Sequence, residues 1–187
     1  MPVICRSLAH ICNLSLVTAT FPSDWKLAKV TPIYKDGCKS DVGNYRPISV
    51  LNIISKIIER AVHNQLYEYL TMCNILSPSQ SGFRSNHSTN STLLDVTDYI
   101  LKNMNDGKAT AAIFLDLRKA FDTVNHKILF SKLYDYGIRN HTLNWFVSYL
   151  SNRAQRVNVN SSLSDFRSIN INVRASVVYY VCKFIIR

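Results

Sequence analysis

The stretch AAIFLDLRKAFDTV, residues 111–124, decides how the rest of the chain is read. Ala109 to Leu115 is short, apolar and unbroken, the pattern of a strand buried on both faces, so a strand is predicted over 109–115. Asp116 then stands where the chain leaves the core. A carboxylate in that position is a hard oxygen ligand suited to Mg²⁺. Such an ion serves phosphoryl transfer by activating the attacking hydroxyl and neutralising the leaving pyrophosphate. Leu117 would add its backbone carbonyl, Phe121 brings a large ring to the same place, and Asp122 follows it. The plain alternative is an acidic residue at a helix N-terminus, and on this segment alone that alternative is the better reading.

Outward from this stretch the apolar periods define the other elements. Residues 3–16 place Ile4, Leu8 and Ile11 on one helical face. Residues 20–50 read as irregular, broken by Pro22, Pro32, Gly37, Gly43 and Pro47, with one short strand from Val30 to Tyr34. The clearest helix covers 52–73, where Ile54, Ile57, Ile58, Ala61, Leu66, Tyr69, Leu70 and Cys73 form a stripe. A loop begins at Ser77-Pro78. A second helix runs from about Thr89 to Asn105, capped by Ser88 or Thr89 and stopped by Gly107. Asn125 to Tyr136 is a helix closed by Gly137, and Asn140 to Leu150 is another, whose Trp145, Phe146 and Tyr149 read as core at helical spacing. The period then changes to two, which predicts an antiparallel pair near 156–160 and 167–173.

The 187 residues suffice for a real hydrophobic core, and the formal net charge is +10. The excess is concentrated in residues 109–187, and an excess of this size points to a phosphate-rich partner. Five cysteines at wide spacings, without C-x-x-C, suggest neither a zinc site nor a disulfide framework. Reduced thiols and an intracellular setting of unspecified compartment are expected. The N-terminal apolar stretch is interrupted by His10, Asn13 and Ser15, unlike a signal peptide, and no run reaches membrane-spanning length, so no membrane partner is expected.

Further segments join the central stretch: WKLAKVTPIYKDG (25–37), NYRPISVLNIISKIIER (44–60), SQSGFRSNHSTNSTLL (79–94) and YGIRNHTLNWFVSYLSNRAQRVNVN (136–160). In wording, order and spacing the series resembles the reverse transcriptase domain of non-LTR (LINE-type) retrotransposons, from about Phe21 to Ile171. The resemblance implies an α+β fold, the fingers and an incomplete palm of a right-hand polymerase, mostly helical with a small antiparallel sheet. It implies a fingers-like region at 1–108, a partial palm at 109–173 and an unmatched tail at 174–187. It assigns Lys35 and Arg46 to the grip on the incoming triphosphate, and Asp116, with the Leu117 carbonyl, to a palm Mg²⁺ site. Phe121 matches the ring under the sugar that favours deoxynucleotides. Arg84, in the Q-x-G-F-R element with Gln80, Gly82 and Phe83, lies near the template and nucleotide pocket in related enzymes. Its two roles, contact with a phosphate and bracing of its own loop, are evenly matched. The implied partners are an RNA template, a DNA primer and deoxynucleoside triphosphates.

After the S-x-x-x-x-I strand the family continues with G-V-P-Q-G-S and later a hairpin with paired aspartates, F/Y-A-D-D. This sequence instead runs into RASVVYYVCKFIIR, and its one acid after Asp135 is Asp165. The expectation is a truncated domain, inactive as written, since two metals need several carboxylates. The alternatives are a non-catalytic nucleic-acid-binding remnant and a chain that does not fold stably.

Overall fold

The computed structural model describes residues 2–116 and 124–169. The expectations for Leu117, Phe121, Asp122, residues 170–173 and the tail 174–187 fall outside that range. Among the described residues are five helices: α1 (Pro2–Val17), α2 (Ile53–Met72), α3 (Thr89–Asn105), α4 (His126–Asp135) and α5 (Asn140–Leu150). The strands are β1 (Leu27–Tyr34), β2 (Tyr45–Val50), β3 (Arg153–Val159), β4 (Ser162–Leu163) and β5 (Arg167–Ile169).

The helices start and stop where their sequences say. Asn52 caps α2 by accepting from the Ile54 amide. Ser88 and Ser91 form a reciprocal capping box at the start of α3, which satisfies two otherwise orphaned donors. Asn125 accepts from the amides of Lys127 and Ile128 at the start of α4. Gly137 closes that helix at φ +88°, a conformation that excludes most side chains.

The core forms where α2, α4 and α5 meet the segment after α1. Phe21 is its hub: its ring stands edge-on to Trp25, Trp145 and Tyr149, with centroids 5.7, 5.7 and 4.8 Å away. Such aromatic pairs add roughly 0.5–1.5 kcal/mol each beyond the area they bury. Ile58, Val62, Leu66 and Leu70 of α2 and Leu129 and Leu133 of α4 complete it. Trp145, Phe146 and Tyr149 are buried, as expected for that helix. The N-terminal helix docks through Cys12 and Leu16, with the Ser15 hydroxyl accepting from the Trp145 indole at 3.1 Å. The face predicted for it is the wrong one, because Ile4 and Ile11 point to solvent.

Two further expectations are corrected. First, the sheet is mixed, with order β2-β1-β3-β4 and β5 also paired to β3. β1–β2, β3–β4 and β3–β5 are antiparallel; the last has the predicted sense but joins 153–155, not 156–160, to 167–169, while Asn158 and Val159 pair with β4. β1 and β3, however, run parallel, with Leu27 opposite Ala154 and Lys29 opposite Arg156. A parallel pair needs a long crossover, and α2 to α5 supply it; no local pattern in either strand announces such a partner. Second, Ala109–Leu115 is not a strand, and Ile113, Phe114 and Leu115 are all at least 85% exposed. Apolar composition supplies propensity, but a strand exists only by pairing, and no described strand lies against this segment. Residues 45–50, expected to be irregular, are β2 because β1 is their partner.

Candidate nucleotide and nucleic-acid site

Strand register places the first pair of expected site residues. Ile33 lies opposite Arg46, and Thr31 opposite Ile48. Beyond the strand ends the ladder gains one more bond, from the Lys35 amide to the Asn44 carbonyl at 2.9 Å. Cross-strand partners share a face and successive residues alternate, so Lys35 and Arg46 stand side by side on one face of the hairpin. Both are exposed. The opposite face turns inward, where Ala28 and Val30 are buried.

The loop that joins these strands is braced from within. The Tyr34 hydroxyl donates to the Gly37 carbonyl, the Asn44 side-chain Nδ2 to the Cys38 carbonyl and the Tyr45 hydroxyl to the Lys39 carbonyl. Asp41 accepts from the Gly43 amide. Gly37 sits at φ +88°, and a Cβ there would come within 2.6 Å of the Asn44 side chain. Lys35 reaches Asp36 at 3.8 Å with both side chains more than half exposed. An exposed pair of that kind is worth at most about 1 kcal/mol.

Arg84 belongs to a separate loop. One guanidinium nitrogen donates to the Ser77 carbonyl at 3.3 Å, while its Nε is shielded from water without a partner. The Gln80 side-chain Nε2 donates to the Gly82 carbonyl, and Phe83 adopts a positive φ of 64°. Asp116 is exposed and ends the irregular segment after α3. It shares no hydrogen bond or ion pair with Lys35 or Arg46. The structure thus brings Lys35 and Arg46 together and leaves Asp116 outside the sheet. Among the described residues no cluster of three His, Cys, Asp or Glu could hold a metal ion. One exposed carboxylate does not fit a two-metal centre.

Sequence reasoning missed a buried polar cluster beneath the sheet. Glu59 of α2 is 1% exposed and accepts from the Tyr149 hydroxyl at 3.1 Å. Burial pushes its carboxyl up to about 7, against the opposing pull of Tyr149, Arg153 and Lys56. Arg153, 2% exposed, donates to the Tyr149 carbonyl at 2.9 Å and lies over the Tyr149 ring. The ammonium of Lys26 is pushed below its ordinary value by burial and then by Arg153. A signal for Glu59 was present: Ser55, Glu59, Val62, Leu66 and Leu70 fall at the three- and four-residue spacing of a buried stripe.

Residues 33–175 match the family model described as reverse transcriptase (RNA-dependent DNA polymerase). A probable RNA-directed DNA polymerase from transposon BS of Drosophila melanogaster is 37% identical over 164 residues, 84% of this chain and 17% of that protein. The RNA-directed DNA polymerase from mobile element jockey of the same species is 36% identical over 67% of this chain and 14% of its own length. A retrovirus-related Pol polyprotein from type-1 retrotransposable element R2 of Popillia japonica is 33% identical over 80% of this chain and 20% of its own length. The chain spans a fifth or less of each of these relatives.

Proposed function

The chain belongs to the reverse transcriptase (RNA-dependent DNA polymerase) family, and from that premise we propose that it is part of the polymerase domain of a LINE-type retrotransposon protein. Residues 1–108 are its fingers-like region and 109–173 part of its palm, with 174–187 as a tail beyond the matching motifs. The observation that carries the reading is the side-by-side placement of Lys35 and Arg46 on the exposed face of one hairpin. Two cations held on a braced loop suit the triphosphate of an incoming deoxynucleotide, Arg46 as a planar fork and Lys35 as a point charge. Arg84 adds a guanidinium near the same pocket, and Phe121 is the ring that selects the deoxyribose. The partners are an RNA template, a DNA primer and deoxynucleoside triphosphates. Among the described residues no helix is long and apolar enough to cross a membrane. The expected setting is inside the cell.

Reverse transcriptases use divalent metal ions, and Asp116 with the Leu117 carbonyl is the part of a Mg²⁺ site that this sequence encodes. The 187 residues contain no paired-aspartate hairpin. By themselves they do not extend a primer, because one carboxylate cannot balance two metal ions against water. Primer extension on an RNA template with labelled deoxynucleotides tests this. The isolated chain is expected to give no product. A protein in which these residues are joined in frame to a full palm is expected to give product that Asp116→Ala abolishes. Extension by the isolated chain, lost on Asp116→Ala, would overturn the incomplete-site reading. The other reading, a non-catalytic nucleic-acid-binding remnant, draws support from the basic sheet. It predicts RNA binding without extension even when the palm is complete.

A further inference from the structure

A cavity of about 460 Å³ lies away from the sheet, between α2, the turn after α4 and the start of α5, with Leu16 of α1 at its edge. It contains none of the residues expected to hold a nucleotide or a metal. The turn is fixed against α2 by Gly137. The Tyr69 hydroxyl fills the place that a Cβ on Gly137 would take and donates to the Tyr136 carbonyl at 2.9 Å. The lining divides by chemistry. Leu66, Trp145 and Phe146 are buried and form an apolar floor. The Trp145 indole N–H is already spent on the Ser15 hydroxyl, so its ring offers the cavity apolar surface alone. Gln65, Arg139 and Thr142 are exposed and form the mouth. Beside them His141 is committed, its Nε2 donating to the Val17 carbonyl. Among the described residues the side chains of Gln65, Arg139 and Thr142 make no hydrogen bond or ion pair. Arg139 has only the Tyr134 ring, 4.8 Å from its guanidinium. No described carboxylate lines the cavity.

We propose that this cavity binds a small aromatic carboxylate, its ring against Trp145 and Phe146 and its carboxylate on Arg139, Gln65 and Thr142. An apolar chamber with a few convergent polar groups is the usual form of a small-molecule site. Ring-to-ring contact with an indole and a phenyl favours an aromatic body over an aliphatic one. The planar guanidinium fork matches a carboxylate, the amide and hydroxyl supply further donors, and no acid in the lining repels the charge. A single cation at the mouth does not balance a triphosphate, which separates this site from the Lys35–Arg46 hairpin. The site therefore stands independently of the polymerase reading.

The test is calorimetric titration of the full 187-residue chain with 2-naphthoate, and in parallel with the neutral 2-naphthamide. One naphthoate should bind per chain, and the naphthamide about tenfold more weakly, the scale of one charge-assisted hydrogen bond. Arg139→Gln should weaken naphthoate about tenfold and leave the naphthamide unchanged, and Arg139→Lys should recover part of the loss. Thr142→Trp, at an exposed position, should block the mouth and abolish binding of both ligands while circular dichroism stays that of the wild type. Naphthoate should shift the backbone amide signals of Gly137 and Thr142 in NMR spectra, and a deoxynucleoside triphosphate should not displace it. No naphthoate binding by the wild-type chain would overturn the site. So would naphthoate binding unchanged in Arg139→Gln or in Thr142→Trp, or displacement by the triphosphate, which would put the ligand on the hairpin instead.

Discussion

Glu59→Gln should change how stability depends on pH, and the buried cluster fixes the sign. The Glu59 carboxyl rises from 4.5 to about 7 on folding, chiefly because burial disfavours its charge. A raised acid binds its proton more tightly in the folded state than in the unfolded chain. Its folded form is therefore most stable below pH 4.5 and loses stability as pH rises to about 7, after which the loss is complete. A shift of this size corresponds to about 3 kcal/mol, at 1.36 kcal/mol per unit. Glutamine keeps an oxygen for the Tyr149 hydroxyl and has no charge to bury, so its contribution is flat. Urea unfolding of both proteins at pH 5 and pH 8 measures the difference. The wild-type chain should lose up to about 3 kcal/mol more than the variant between those values, which cancels the other titrating groups. Tyr149→Phe removes a donor that favours the charged carboxylate, and should move the wild-type transition to higher pH. Equal pH dependence in wild type and Glu59→Gln would refute the reasoning, for it would mean that Arg153 holds Glu59 ionised throughout.

Gly137→Ala should destabilise the chain by more than about 1 kcal/mol, since its backbone is at φ +88° and a Cβ would lie 2.4 Å from the Tyr69 hydroxyl. Adding Tyr69→Phe should recover part of the thermal stability but not the backbone component; full recovery would show that the clash alone mattered. Ser88→Ala should cost about 1 kcal/mol by opening the capping box of α3, read as lost helicity by circular dichroism, and an unchanged spectrum would count against the cap.

Local chemistry determined much of this molecule. The stripe of α5 repeats within a few residues, and Asn52, Ser88 and Asn125 act on amides two or three positions away, so each is visible in its own segment. Of the stripe expected for α2 only Ile58, Leu66 and Leu70 are buried; Ile57, Ala61, Tyr69 and Cys73 are exposed, because the face that packs runs through Ser55, Glu59 and Val62 instead. The ordered motifs likewise named the family. The tertiary structure alone decided what depends on distant partners. β1 and β3 pair residues 27–30 with 154–157, and nothing in either strand specifies that neighbour or its parallel sense. The same dependence runs the other way at 109–115, where apolar sequence without a described partner remains irregular and exposed. It also explains the charges. Glu59 and Lys29 look alike in the sequence, as ordinary charged residues. One is buried because α5 closes over it with Tyr149, and the other stands exposed opposite Arg156 because register, which is fixed only when strands meet, put it there.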